Sequence, residues 1–131
     1  MNPLKVGIIG AGYIGGVHAS VLARDERVSV ASVYDIDADR ASRLARSAGA
    51  SVAVSAEEVI RDCDAVYITT PNTKHTELAI AAAVAGRHVF CEKPMATNLA
   101  DARSVLEAAN ESQLVFQVGH NRRFAPVYAA L

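Results

Sequence analysis

The chain has 131 residues, a length that fits one domain with a sizeable core and excludes a tandem of domains. Hydrophobic residues make up 51% of the sequence and charged residues 21%, which is typical of globular proteins and not of disordered or fibrous ones. With 13 basic and 14 acidic residues, the formal net charge is -1, which excludes a global electrostatic attraction to nucleic acid or to an anionic membrane.

No segment has the roughly 20 consecutive apolar residues of a membrane-spanning helix, and the N-terminus lacks the regions of a signal peptide. We therefore expect a cytoplasmic protein with no membrane partner. Cys63 and Cys91 lie in or beside apolar segments and lack metal-site spacing, which predicts reduced cysteines in the core. No set of His, Cys and carboxylate residues has metal spacing either, so we predict no metal.

The predicted elements alternate strand and helix along the chain. In chain order they are a strand at 6–10, a helix from 13 to about 24, a strand at 28–34, a helix at 35–48, and a short strand at 51–54. There follow a helical turn up to 60, a strand at 65–69, a helix at 73–85, a strand at 89–91, a helix at 98–109, and a strand at 114–118. Ser55 and Glu58 form a predicted capping box at the third helical segment.

Strands separated by helices must run parallel, with right-handed crossovers. The pattern therefore predicts a single domain of the α/β class, a doubly wound parallel Rossmann sheet in the order 3-2-1-4-5-6. We assign residues 1–124 to this domain. Pro126 can begin a further helix with apolar positions at Val127, Tyr128 and Leu131, but no stop signal follows. We interpret 125–131 as the start of a truncated helix or a linker; the alternative is a short frayed tail.

Residues Gly10 to Gly15 form a G-x-G-x-x-G element, a pattern that is often accidental or merely a helix-packing turn. Here it follows a buried strand and opens a helix. Gly10 can then make the tight turn, Gly12 can let a pyrophosphate approach the backbone, and Gly15 can pack the helix on the strand. Backbone N–H groups and the helix dipole would hold the anion, so the element predicts a dinucleotide site.

Asp35 lies about 20 residues beyond this motif, at the end of the second strand, where a carboxylate can accept hydrogen bonds from the adenosine ribose. Its charge would repel a 2′-phosphate, and Ile36 and Asp37 supply no cation, so NAD is favoured over NADP. The alternative is that one of the two aspartates caps the second helix, which we expect of Asp37. Arg40 can reach the adenine face or a 2′-phosphate, or can be a solvated helix charge.

Three polar loops follow the fourth, fifth and sixth strands. They are Thr69 to Asn72, Glu92 to Pro94, and Gly119 to Arg123. Open α/β sheets bind ligands at the carboxyl ends of their strands. The three loops should therefore converge where a nicotinamide would lie.

These residues resemble the Gfo/Idh/MocA oxidoreductases, a family that includes glucose-fructose oxidoreductase and inositol dehydrogenase. The resemblance runs from the first strand to about Phe124 and rests on four ordered motifs. They are Gly10 to Gly15 followed by His18, Thr70-Pro71-Asn72 with His75, Glu92-Lys93-Pro94, and Gly119 to Phe124. The resemblance implies reversible hydride transfer between a nicotinamide cofactor and a hydroxyl-bearing carbon of a sugar, a cyclitol or a derivative.

The resemblance implies that Lys93 is the catalytic residue. Its ammonium would lie between the nicotinamide and the substrate hydroxyl and stabilise an alkoxide as the hydride leaves. Without this resemblance, a lysine in a polar loop is usually a surface charge. Glu92 would contact a cofactor ribose, and Pro94 is expected to follow a cis peptide bond.

Further cofactor contacts are expected around the same cleft. Pro71 and Asn72 would border the nicotinamide ribose, and His75 would support their loop. Arg122 would orient the carboxamide or the substrate. The remaining predicted contacts are Tyr13, Ile14, Ile36, Arg40, Thr70 and Lys93 itself.

The other histidines and the second arginine of the last motif receive less specific expectations. His18 is expected to pack or to bond locally, and His88 to be structural. His120 is either loop filler or the edge of a pocket. Arg123, beside Arg122, can be a surface charge with no role in the site.

Family members normally continue through a C-terminal α+β domain, which provides the substrate pocket, an Asp and a His for proton transfer, and usually the oligomer interface. We expect the 131 residues of this sequence not to include this domain. General-base catalysis is worth a factor of about 10² to 10⁴. We therefore expect the isolated chain to bind NAD but to turn over a polyol or sugar poorly or not at all.

Two function classes stay open: an incomplete NAD-dependent dehydrogenase, and a non-catalytic NAD-binding sensor or regulatory module. Retention of Lys93 favours the enzyme, because a sensor needs only Gly12 and Asp35. An apolar patch is expected near the sixth strand and the final helix, where the missing domain would dock. Such a patch favours self-association, so we expect a homo-oligomer.

Overall fold

Six parallel strands form one sheet in the computed structural model, which describes residues 1–129. The strands are β1 (Leu4–Ile9), β2 (Val28–Tyr34), β3 (Ser51–Val52), β4 (Ala65–Ile68), β5 (His88–Glu92) and β6 (Phe116–Gly119). Every neighbouring pair is parallel, and the order across the sheet is β3-β2-β1-β4-β5-β6. The predicted doubly wound sheet and its strand order are confirmed.

Helices connect the strands. They are α1 (Tyr13–Leu22), α2 (Ala38–Ala48), α3 (Ala56–Asp62), α4 (His75–Val84), α5 (Leu99–Ser112) and α6 (Pro126–Ala129). Two short 3-10 turns cover Asn72–Lys74 and Asn121–Phe124. Across residues 1–129, no helix combines the length and the apolar character needed to span a bilayer. The last helix begins at Pro126 as predicted, and the apolar position predicted at Leu131 lies outside the described residues.

The sheet carries a hydrophobic core on each face. On one face, α1 and α2 pack on Ile8 and Val33, whereas α3, α4 and α5 pack around Ile9 and Ile68 on the other. The adjacent residues Ile8 and Ile9 are both at most 1% exposed. Burial of both faces explains why the first strand is a continuous apolar run with no alternation.

Two helices begin later than the predicted positions. The helix predicted at 35–48 begins at Ala38, because the Asp37 carboxylate accepts hydrogen bonds from the N–H groups of Asp39 and Arg40. The predicted capping role of Asp37 is thus confirmed. The helix predicted at 73–85 begins at His75 instead, because the chain first makes the 3-10 turn after Pro71.

The predicted capping box is formed only in part. The Ser55 hydroxyl accepts a hydrogen bond from the Glu58 N–H at 3.1 Å, as expected. The Glu58 carboxylate, however, accepts from the N–H of Val54 at 2.6 Å and not from that of Ser55. This bond helps to explain why β3 ends at Val52 and not at the predicted Val54, since the Val54 N–H is bonded to a side chain.

Boundaries also move at the sixth strand, which occupies 116–119 and not 114–118. Val115 precedes it, and its N–H donates to Nδ1 of His88 at 3.2 Å, which gives His88 the structural role that was predicted.

Val115, Phe124 and Val127 are exposed apolar side chains in this part of the chain. Val115 precedes β6 and the other two follow it, so the apolar patch and the homo-oligomer both stay predictions.

Cys63 and Cys91 are free and buried, as the sequence predicts. Burial raises the pKa of both thiols, and that of Cys91 to about 12. The thiolate is the reactive form, so we expect neither cysteine of the folded chain to react with a disulfide reagent near neutral pH. Absorbance of the released thiol should show two reactive groups only after denaturant is added. Rapid labelling of the native chain would contradict this expectation.

Candidate functional site

Where β1 leads into α1, two of the three motif glycines, Gly10 and Gly15, pack close to the end of β4. Gly10 has φ 105°, and a Cβ there would lie 2.7 Å from the backbone nitrogen of Thr70. A Cβ on Gly15 would overlap the carbonyl oxygen of Gly10. A Cβ on Gly12, by contrast, would meet nothing within 4 Å. The fold therefore requires Gly10 and Gly15, whereas Gly12 faces open space at the start of α1.

The N-terminus of α1 is free to receive an anion. Its N-cap residue is Gly12, and no side chain caps the helix. The first N–H groups of a helix have no partner within the helix, and the helix dipole places partial positive charge beside them. The described chain thus presents a backbone donor set at the point where Gly12 leaves room for a ligand.

Thr69 joins this turn to β4; sequence reasoning placed it in the polar loop after the fourth strand but predicted no contact for it. Its hydroxyl donates to the carbonyl oxygen of Gly10 at 2.6 Å and lies 3.2 Å from that of Ile9. The residue is 6% exposed. Its position directly after β4, beside the strand that carries the glycine motif, was the available signal.

Asp35 follows β2 and binds the glycine turn from the other side. One carboxylate oxygen accepts from the Ala11 N–H at 2.7 Å, and the other accepts from the Asp37 N–H at 2.8 Å. Arg40 places its guanidinium 3.5 Å from each of the two aspartates. Each carboxylate oxygen can accept a further hydrogen bond, so Asp35 can still receive a ligand hydroxyl.

A cleft of about 570 Å³ lies between these segments. This volume is within the roughly 300–1,000 Å³ range of small-molecule and cofactor sites. Its lining brings together predicted residues from three loops: the glycine turn with Tyr13 and Ile14, the end of β2 with Ile36 and Arg40, and the end of β4 with Thr70 and Pro71. The Thr70 hydroxyl is buried and has no hydrogen-bond partner among the described residues, which leaves it free for a ligand.

His75 lies outside this lining and connects two loops. The residue is 0% exposed, with Nδ1 2.7 Å from the carbonyl oxygen of Pro94 and Nε2 2.9 Å from that of Thr70. A neutral imidazole donates from one nitrogen only, whereas the protonated ring donates from both. His75 thereby supports the loop after β4, as predicted, and also holds the turn after β5.

The turn after β5 contains the predicted catalytic residue. The peptide bond between Lys93 and Pro94 is cis, as expected, and Lys93 is exposed. One oxygen of the Glu92 carboxylate accepts from Nε2 of His18 at 2.9 Å, and the other accepts from the Lys93 N–H at 3.2 Å. His18 was expected to pack or to bond locally; it packs on two aromatic rings, and its hydrogen bond goes to Glu92, 74 residues along the chain.

The remaining predicted residues lie at the same edge of the sheet but outside the cleft. Asn72 begins the 3-10 turn after β4, and Arg122 is exposed in the turn after β6, with Arg123 and His120 exposed beside it. Glu92 pairs with Gly119 in the sheet register, which puts the loops after β5 and β6 side by side. Within residues 1–129, no group of three or more His, Cys, Asp or Glu side chains is arranged to hold a metal ion.

The family model described as "Oxidoreductase family, NAD-binding Rossmann fold" matches residues 4–120. The chain belongs to the Gfo/Idh/MocA oxidoreductase family. The match covers the whole sheet, from β1 to β6, and with it the glycine turn. The described residues therefore form a Gfo/Idh/MocA NAD-binding domain.

Similar proteins cover nearly all of this chain. The myo-inositol 2-dehydrogenase of Thermotoga maritima is 36% identical over 92% of this chain and 37% of its own length. Inositol 2-dehydrogenase 3 of Saccharopolyspora erythraea is 40% identical over 95% of this chain and 38% of its own. The crystal structure of GenD2 from gentamicin A biosynthesis, in complex with NAD, matches with a TM-score of 0.93 and 35% identity over 99% of this chain and 38% of that one. The chain thus spans less than half the length of these proteins.

Proposed function

We propose that this chain is the cofactor-binding part of a dehydrogenase that transfers a hydride between NAD and a hydroxyl-bearing carbon of a sugar or cyclitol. The observation that carries the proposal is the glycine turn, with its open helix N-terminus, hydrogen-bonded to Asp35 across one cleft. The inositol dehydrogenases among the similar proteins support a polyol as the substrate class.

In this proposal, different residues of the cleft bind different parts of the cofactor. The N–H groups at the start of α1 hold the pyrophosphate beside Gly12, and Asp35 accepts the adenosine ribose hydroxyls. Arg40 lies beside the adenosine end and is shared between the carboxylates of Asp35 and Asp37. One cation against two anions leaves a net negative charge there, which disfavours the 2′-phosphate of NADP.

Lys93 is the residue we propose for the chemical step. NAD supplies the hydride acceptor when it is bound. The exposed ammonium of Lys93, after β5, donates a hydrogen bond to the substrate oxygen and stabilises the negative charge that develops there. Arg122 orients the substrate or the carboxamide from the neighbouring loop. Asn72, with Pro71, borders the nicotinamide ribose.

The proton of the substrate hydroxyl needs a base. We propose that this base and most of the substrate pocket lie in the part of the similar proteins that the chain does not span. Without general-base catalysis the rate of the chemical step falls by a factor of about 10² to 10⁴. The 131-residue chain therefore binds the cofactor but turns over little substrate. Dehydrogenase rates of ordinary size on a polyol, measured with this chain, would contradict the proposal.

Titration with NADH and NADPH tests the cofactor assignment. We expect the unmutated chain to bind NADH at least about tenfold more tightly, a difference of about 1.4 kcal/mol. Asp35→Ser should reduce this preference, because it removes the repelling charge and releases Arg40. Fluorescence of the reduced nicotinamide, with calorimetry, gives both affinities.

Asp35→Asn is the matched control in the same titration. Its amide oxygen can still accept the Ala11 N–H, so the glycine turn stays bonded while the charge is lost. We expect it to shift the preference toward NADPH without the larger loss of NADH affinity that a released turn would cause. Equal affinity of the unmutated chain for both cofactors would overturn the assignment of Asp35.

A further inference from the structure

His18 joins the helix of the glycine motif to the turn that carries Lys93. It lies in α1, and its Nε2 donates to the Glu92 carboxylate at 2.9 Å across a sequence separation of 74 residues. The two side chains are 21% and 14% exposed, so water screens the pair only in part. The second oxygen of the same carboxylate accepts the N–H of Lys93. Two hydrogen bonds therefore connect α1 to the backbone of the proposed catalytic residue.

Two aromatic rings fix the orientation of the His18 imidazole. Its ring lies edge-on to Phe90, with centroids 4.8 Å apart, and edge-on to Tyr67 at 5.4 Å. Tyr67 and Phe90 stack on each other at 4.6 Å. Edge-to-face contacts of this kind are favourable, so β4 and β5 together keep the ring aimed at Glu92.

Strand β6 leaves room for this arrangement at Gly119. The residue pairs with Glu92 in the sheet, and a Cβ there would lie 2.8 Å from Phe90 and 3.1 Å from the Glu92 oxygen that bonds His18. Any larger residue at this position would push the ring or the carboxylate away. Because Gly119 has no side chain, β6 leaves room for the Phe90 ring and for the Glu92 carboxylate that His18 binds.

We propose that His18 is a positioning residue for the hydride-transfer site, acting through Glu92 on the backbone of Lys93. The inference rests on the proposed function of Lys93. Because α1 begins at the cleft and carries His18 further along, one helix sets the distance between the pyrophosphate site and the reactive end of the cofactor. A residue that only filled the core would have no such selective effect.

The test compares two ligands that differ by the nicotinamide half. NADH contacts both ends of the site, whereas ADP-ribose occupies only the adenosine end. The variants are His18→Gln, whose amide reaches about as far as the Nε2 of histidine, and His18→Asn, which is one methylene shorter. Val21→Gln, on an exposed position of the same helix, is the control.

We expect His18→Asn to weaken NADH binding by about tenfold while ADP-ribose binding changes by less than about twofold. His18→Gln should keep most of the NADH affinity of the unmutated chain. Val21→Gln should leave the affinity for both ligands unchanged. Equal losses for both ligands, no loss at all, or no recovery in His18→Gln would overturn the inference. If His18→Asn does not fold, as judged by circular dichroism, His18→Leu takes its place.

Amide hydrogen exchange at Lys93 gives a second measurement that needs no cofactor. The Lys93 N–H is bonded to Glu92, so its exchange should accelerate in His18→Asn and stay slow in His18→Gln and Val21→Gln. An unmutated chain that binds NADH no better than ADP-ribose would contradict the proposed function. Unchanged Lys93 exchange in His18→Asn would contradict the positioning role alone.

Discussion

Gly10→Ala is expected to lower the free energy of unfolding by about 2 to 6 kcal/mol. Two causes contribute. The backbone at this position has φ 105°, a conformation that L side chains rarely adopt, and the added methyl would be forced against the backbone of Thr69 and Thr70. Because a typical domain is stable by only about 5–15 kcal/mol, this single methyl can remove much of the total.

Gly12→Ala is the matched control for that substitution. Its backbone has φ −78°, and the new Cβ would meet nothing within 4 Å, so we expect stability close to that of the unmutated chain. The methyl would nevertheless stand where the pyrophosphate approaches α1, so NADH binding should weaken. Urea unfolding followed by circular dichroism measures the first effect, and calorimetry measures the second. A similar loss of stability in both variants would contradict the assigned roles.

His75→Leu is expected to cost about 1 to 3 kcal/mol of stability. Leucine fills the buried site but cannot donate, so the carbonyl oxygens of Thr70 and Pro94 both lose their contact with the ring. A neutral ring donates to only one of the two oxygens, and an acceptor left without its hydrogen bond costs about 1–3 kcal/mol. The same change should loosen the turn of Lys93 and the loop before α4 together, because His75 contacts both.

Urea unfolding of His75→Leu and of His120→Leu measures this effect. His120 is exposed, so its replacement should change stability by no more than about 0.5 kcal/mol. Hydrogen exchange would then locate the loss in the two loops. An unfolding free energy of His75→Leu equal to that of the control would show that the buried ring contributes no net stabilisation.

The strand order and the glycine turn could be predicted from the sequence because their signals are local. A β-branched run, a glycine motif and a helical repeat follow one another within about 20 residues at the start of the chain. The same holds for Asp37, whose capping bonds reach only to Asp39 and Arg40. Such features depend on backbone geometry within one or two turns.

Contacts between distant segments could not be predicted in the same way. The bond from His18 to Glu92 joins α1 to the end of β5, and only the assembled sheet brings the two side chains together. Nothing in the spacing distinguishes His18 from a histidine that simply packs. The bond from Glu58 to Val54 is local, but a capping box and its one-residue shift have the same sequence.

The bond between Ala11 and Asp35 has a kinetic consequence. Together with the Thr69 hydroxyl on Gly10, it holds the glycine turn in place from both sides. Fixing the backbone of one residue costs about 1–2 kcal/mol in lost conformational entropy. In this turn the cost arises when the chain folds and not when the coenzyme binds. Because the glycine turn is already ordered, it does not have to close when the coenzyme binds. Variants of the cleft should therefore differ mainly in the residence time of the coenzyme, with association rates nearly constant.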